Sequence, residues 1–213
     1  ANAWQYSWYV PQDVAGLIRA YGGDAKFIAK LDQLFDAKVD PAIFKNVEDI
    51  TGLIGWYAHG NEPSHHIAYL YDYAGAPWKT QARLKQIMDS QYAARPDGLS
   101  GNDDLGQMSA WLFFTATGFY PVTPGSGEYV IGRPFTRRTA LNLPNGKIFA
   151  VTSEGTGDYV GSVTLNGKPL KRAFIRHSEI LDGGELHFVM QATPNTAWAT
   201  GAEVRPFSMS GYN

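Results

Sequence analysis

The chain has 213 residues, room for one large domain or two small ones and for a core that buries roughly 70% of the unfolded surface. At 44% hydrophobic and 18% charged it is globular rather than disordered, and 18 basic against 20 acidic residues leave a net charge of -2 that excludes a general electrostatic surface for nucleic acid. The absence of cysteine excludes disulfides, thiolate nucleophiles and cysteine-based zinc sites, and no apolar run reaches the roughly 18 residues that a membrane span needs.

The chain opens with Ala1-Asn2-Ala3-Trp4, without an initiator methionine or a signal peptide, and reads as the middle of a longer protein. Asp13 to Tyr21 predicts a short helix stopped by Gly22-Gly23. Asp24 to Phe35 follows, with Phe27, Ile28, Leu31, Leu34 and Phe35 at helical spacing. Asn61 to Tyr73 and Trp78 to Tyr92 predict two more helices. Leu105 to Thr117, with Met108, Trp111, Leu112, Phe113 and Phe114, is the most apolar, and Gly118 and Pro121 end it. Near residue 121 the pattern changes to short strands. Tyr129 to Ile131 is one. Ala140 to Leu143 and Ile148 to Thr152 flank Asn145-Gly146, and Tyr159 to Leu165 and Leu170 to Ile175 flank Asn166-Gly167, both hairpin signals. Leu186 to Met190 follows Gly183-Gly184, and Phe207 to Asn213 reads as a tail. Residues 128–213 therefore predict an antiparallel sheet, one side of a sandwich.

Three polar clusters stand out. Asn2 to Asp13 interleaves Trp4, Tyr6, Trp8 and Tyr9 with amides and a hydroxyl, as a cleft wall would, or as a part-buried helix start with satisfied amides. His59-Gly60-Asn61-Glu62-Pro63-Ser64-His65-His66 crowds polar groups before an apolar segment, where Asn61 is placed to cap and Pro63 fits a first turn. Adjacent His65 and His66 without a His-Glu-x-x-His motif argue against zinc. Oxygen donors from Asn61 and Glu62 suit a hard cation better, and a capped helix with surface histidines is the plain alternative. Asn102, Asp103, Asp104 and Gln107 stand at the entrance of the apolar helix. Asn102 or Asp103 suffices to cap it, which leaves Asp104 and Gln107 free to orient water or hold a divalent cation.

Taken together, Asn2-Ala3-Trp4-Gln5-Tyr6, His59 to His66, Gly101-Asn102-Asp103-Asp104-Leu105-Gly106-Gln107-Met108-Ser109-Ala110-Trp111 and Gly118-Phe119-Tyr120-Pro121 resemble glycoside hydrolase family 92 in order and spacing. The resemblance runs over essentially the whole chain. It implies a calcium-dependent exo-acting α-mannosidase of the bacterial periplasm, cell surface or secreted space, acting on terminal α-mannosides, chiefly α-1,2-linked. It also implies an α+β multidomain fold. Residues 1–125 would be the later part of an (α/α)6 barrel and 126–213 an antiparallel, sandwich-like accessory region.

The implied mechanism is inversion, in which a glutamic acid protonates the leaving oxygen and a carboxylate activates water on the opposite face. By its motif Asp104 resembles the base. Asn102 stands where some members carry a second, assisting acid, and Asp103 replaces a more usual glutamate. The resemblance places Trp4, Gln5, His59, Asn61, Glu62, His65 and Gln107 against the sugar. It implies that Glu62, Asn61, Asp103 and Asp104 are available to calcium. The general acid belongs directly before the Asn2 motif, where this chain has only Ala1. A C-terminal portion whose N-terminal part is missing is therefore expected, inactive by itself. A non-catalytic carbohydrate-binding or structural module and a different (α/α)6 glycosidase, trehalase-like or glucoamylase-like, are the other readings.

Overall fold

The structure is a computed structural model and describes residues 1–48 and 50–212. Helices occupy the first half. Helix α1 (Ala3–Tyr6) is capped by Asn2, whose side chain accepts from the Trp4 N–H while Gln5 accepts from the Asn2 N–H. Helix α2 (Val14–Ala20) is capped by Asp13, and α3 (Asp24–Asp36) buries Phe27, Leu31, Leu34 and Phe35 on one face. A short hairpin, β1 (Leu53–Ile54) with β2 (Tyr57–Ala58), leads into the second polar cluster.

The helix expected over residues 61–73 is replaced by two 3-10 turns, Glu62–Ser64 and Ile67–Tyr69, and one α-helical turn, α4 (Leu70–Tyr73). Asn61 makes no capping bond there. Ser64 through Pro77 is buried on every side, so no amphipathic period exists to hold one continuous helix face to solvent. Helix α5 (Pro77–Gln91) and helix α6 (Gln107–Thr117) complete the helical part. Helix α6 begins two residues later than expected. Asp104, Leu105 and Gly106 all have positive φ, which keeps Leu105 out of the helix and fully exposed.

Strand β3 (Phe119–Tyr120) leaves α6 at Gly118 and pairs with β4 (Glu128–Ile131), which pairs with β9 (Phe174–Arg176). This three-stranded sheet is the wall between two cores. Side chains alternate along a strand. Phe119 and Ile131 thus enter the core of the large sheet, while their neighbours Tyr120 and Val130 enter the helical core.

The large sheet has the order β5-β6-β10-β7-β8, from β5 (Arg138–Asn142), β6 (Ile148–Gly155), β7 (Tyr159–Leu165), β8 (Lys168–Pro169) and β10 (Gly184–Gln191). Both Asn-Gly hairpins are present. The purely antiparallel expectation is corrected, because β10 enters between β6 and β7, parallel to the first and antiparallel to the second. The strand expected over 170–175 is also divided. Leu170 still bonds to β7, but Phe174 to Arg176 cross to the small sheet, and α7 (His177–Leu181) carries the chain back to β10.

The segment expected as a tail is a strap. Ser208 and Ser210 bond to Asp13, Arg19 donates to the Gly211 carbonyl at 2.8 Å, and Tyr212 packs on the helical core. Asn213 lies outside the described residues.

Candidate active site

Two glycines bring the second and third polar clusters together. A Cβ on Gly60 would stand 2.0 Å from Thr51 Oγ1, and one on Gly101 would stand 3.0 Å from Gly60 Cα. Only bare backbone allows this approach. The strands of the hairpin extend to Gly60, whose N–H donates to the Thr51 carbonyl at 3.1 Å. Glu62, two residues after Gly60, and Asp104, three after Gly101, are thereby placed side by side.

Their carboxyl groups are close enough to share a hydrogen bond when one of them is protonated. That contact with Glu62 raises the Asp104 pKa first. Partial desolvation and the like charges of Glu62 and Asp103 raise it further, and His65 opposes them. Asp104 itself is exposed, on backbone in the left-handed region at φ 48°. Asp103 has a different task. Its two oxygens accept from the Ser109 N–H at 2.9 Å and the Ser109 hydroxyl at 3.1 Å, so it satisfies a first-turn N–H of α6 from outside the helix, whose N-cap is Gly106. Asn102 is exposed, and Asn61 is half-buried beside Glu62.

Behind the carboxyl pair stands a buried aromatic and imidazole layer. His59 is 0% exposed. Both its ring nitrogens are taken by tyrosine hydroxyls, Tyr57 at Nδ1 and Tyr92 at Nε2, each at 2.7 Å. It therefore lies beneath the surface in this structure. Burial holds its pKa well below the ordinary histidine value. Trp111 stacks on Tyr92 with ring centroids 5.7 Å apart and donates its indole N–H to the His65 carbonyl at 2.9 Å. His65 is buried too, its pKa pushed down to about 4 by desolvation. Gln107, on the first turn of α6, reaches both His65 Nδ1 at 3.1 Å and the Tyr120 hydroxyl at 3.3 Å. Burial pushes the Tyr120 pKa up to about 12, so its hydroxyl stays protonated.

The first cluster packs alongside, because α1 contacts the Glu62–Ser64 turn and β2. Gln5 is buried, with Oε1 on the Asn2 N–H at 3.0 Å and Nε2 without a partner among the described residues. Trp4 is half-buried between Lys30, whose Nζ lies 3.6 Å above the ring, and Trp56, stacked at 6.3 Å. His66 Nε2 bonds to the Trp8 carbonyl at 2.8 Å, and the Tyr9 ring stands edge-on to His66. Residues 57–66 and 92–120 therefore converge, whereas Trp4 faces the α3 side.

Sequence reasoning did not single out Tyr57, Tyr92 or Tyr120. Tyr120 lies inside a quoted motif, and its place after the Gly118 stop was the available signal. Tyr57 and Tyr92 carried none. Among the described residues no group of three or more His, Cys, Asp or Glu side chains is placed to hold a metal ion. The donors at the carboxyl pair are nevertheless oxygens, which fits a hard cation in kind and leaves its usual shell of about 6–8 ligands incomplete. No helix among the described residues is long and apolar enough to cross a membrane.

The Glycosyl hydrolase family 92 catalytic domain matches residues 1–192. An uncharacterized secreted glycosidase of Arthroderma benhamiae is 32% identical over 215 aligned positions, covering 98% of this chain and 26% of that protein. A family 92 α-mannosidase from Bacteroides thetaiotaomicron, solved in complex with mannoimidazole, superposes with a TM-score of 0.91 at 42% identity, covering 98% of this chain and 28% of its own. A family 92 inverting mannosidase from Bacteroides thetaiotaomicron VPI-5482 gives 0.85 at 37%, covering 99% and 30%. The chain thus spans less than a third of the length of these relatives. With nine-tenths of its residues inside the family match, the chain belongs to glycosyl hydrolase family 92.

Proposed function

We propose that this chain is the part of an inverting α-mannosidase that supplies the base, in an enzyme releasing terminal α-linked mannose, α-1,2-linked above all. The observation that carries the reading is the exposed Asp104 carboxyl, held beside Glu62 with its pKa raised. An ionised Asp104 takes a proton from the attacking water. Asn102, two residues before it, offers an amide in place of an assisting acid. Glu62 is close enough to Asp104 to share a hydrogen bond, whereas an inverting displacement needs its two carboxyl groups about 6.5–9.5 Å apart. Glu62 therefore does not serve as the acid, and that group comes from elsewhere in the complete enzyme.

Glu62, Asn61 and Asp104 would hold calcium, with Asp103 limited by its bonds to Ser109. Bound calcium supplies positive charge that steadies sugar hydroxyls and the paired carboxylates. Gln107 presents its amide to the sugar, and His59 and His65 shape the wall from behind. Trp4 and Gln5 extend that wall. In this reading residues 1–125 belong to an (α/α)6 barrel and 126–213 to an accessory sheet. The relatives named above support the mannoside reading, and the secreted glycosidase among them supports a place outside the cytoplasm. The test is release of mannose from an α-1,2-linked mannobiose by the complete enzyme. No release, with the fold shown intact, would overturn the proposal.

A further inference from the structure

The carboxyl pair has a neighbour whose role is set by hydrogen-bond polarity. His65 is 2% exposed, too buried to meet a sugar directly. Its Nε2 lies 2.9 Å from the His59 carbonyl. A carbonyl only accepts, so Nε2 carries the ring hydrogen and Nδ1 is a bare lone pair. Gln107 Nε2, 3.1 Å from that lone pair, must donate to it. The second amide hydrogen goes to the Tyr120 hydroxyl at 3.3 Å. Both hydrogens are then spent. Gln107 Oε1 is left with no protein partner among the described residues, and it is not among the buried atoms that lack one.

The geometry points to His65 as a positioning residue: its locked tautomer turns the Gln107 amide so that Oε1 accepts from a sugar hydroxyl next to Asp104. A hydroxyl that donates to Oε1 keeps its own lone pairs free for a cation or an N–H donor. A turned-over amide would compete for those lone pairs. The ring cannot drift, because His59 is fixed by Tyr57 and Tyr92 and the His65 carbonyl is fixed by Trp111. This inference rests on the mannosidase reading for its substrate but not for the His65–Gln107 link.

Two substitutions in the full-length protein separate positioning from packing. His65→Gln keeps an N–H for the His59 carbonyl and offers nothing where Nδ1 was. His65→Asn keeps an acceptor at the Nδ1 position and gives up the His59 bond. Positioning through Gln107 predicts that kcat/KM falls about tenfold further in His65→Gln than in His65→Asn. If His65 only packs, His65→Asn is the poorer of the two in both activity and melting temperature, and the inference fails. In a Gln107→Ala background His65→Gln should add no further loss, whereas full additivity would overturn the link. Should the wild type turn over no mannoside, the activity reading falls and ¹⁵N spectra of His65 decide the link alone. A neutral ring protonated at Nε2, whose Nδ1 signal moves in Gln107→Ala, supports it. An Nδ1–H tautomer or an unmoved signal refutes it.

Discussion

The carboxyl of Glu62, the first residue of a 3-10 turn, lies close to that of Asp104, which stands on left-handed backbone just before α6. In the proposed role of base Asp104 works only when ionised, so unless a bound cation offsets the Glu62 charge its raised pKa should move the acid limb of kcat/KM above the pH expected for an isolated aspartate. Glu62→Gln removes the like charge and should shift that limb to lower pH. A limb that stays in place on this substitution would mean that another group sets it.

Asp104→Asn should lower turnover by roughly 10²–10⁴-fold with the melting temperature retained. Asparagine tolerates the left-handed backbone at this position, so the loop should keep its shape. Turnover near the wild-type rate would remove Asp104 from the mechanism.

Acid should loosen the fold through His65 and His66, each pushed by burial from 6.5 to about 4. Above pH 6.5 both rings are neutral in folded and unfolded chains, and the stability they allow is fully present. As pH falls from 6.5 towards 4 the unfolded chain takes up protons that the fold refuses. Stability then drops, by roughly 3 kcal/mol per histidine as an upper bound. Urea unfolding at pH 7 and pH 5 measures the slope, and His66→Gln should flatten it.

Asp72 works in the opposite direction. It is completely buried, bonded to the Thr80 hydroxyl, with Oδ1 unpartnered among the described residues, and burial raises its pKa well above the ordinary value. The unfolded carboxyl ionises above about pH 4 while the folded one resists, so stability is lost as pH rises. Asp72→Asn should remove this fall, so its melting temperature should gain on that of the wild type as pH rises from about 4. An unchanged fall would show that Asp72 ionises freely in the fold.

Calcium added back after chelation should restore mannoside turnover, and zinc should not, because the available donors are oxygens. Recovery with zinc alone would reject the cation assignment.

The sequence reading was strongest where local chemistry decides structure. The Asn145-Gly146 and Asn166-Gly167 hairpins, the Gly22-Gly23 stop and the Gly118 stop each follow from one or two residues. It was weakest where burial is uniform. From Ser64 to Pro77 every side chain is covered, so apolar spacing could not separate one helix from a run of short turns. The parallel pairing of β10 with β6 was illegible for a different reason. It depends on where α7 returns the chain, a long-range choice that no hairpin signal records. At the site, the motifs located Glu62 and Asp104. Only the structure separates Asp104 from Asp103, which is held by Ser109, and from His59, whose nitrogens are both occupied.

The strap over residues 205–212 has a practical meaning for where this protein can be cut. The family match stops at residue 192, yet Asp13 at the other end of the chain accepts from Ser208 and Ser210, and Arg205 pairs with Asp24 at 2.8 Å. Those serines hold the Asp13 pKa below the usual carboxylate range, Ser210 most of all, so the joint should survive moderate acid. Asp13→Ala should cost roughly 1–3 kcal/mol through the lost cap and the freed serines, read by thermal melting. The limit of the family match is thus not the limit of cooperative folding. A version trimmed to residues 1–192 would lose the fastening between its first helices and its last strands, and proteolysis after residue 192 should release a less stable body rather than a tidy domain.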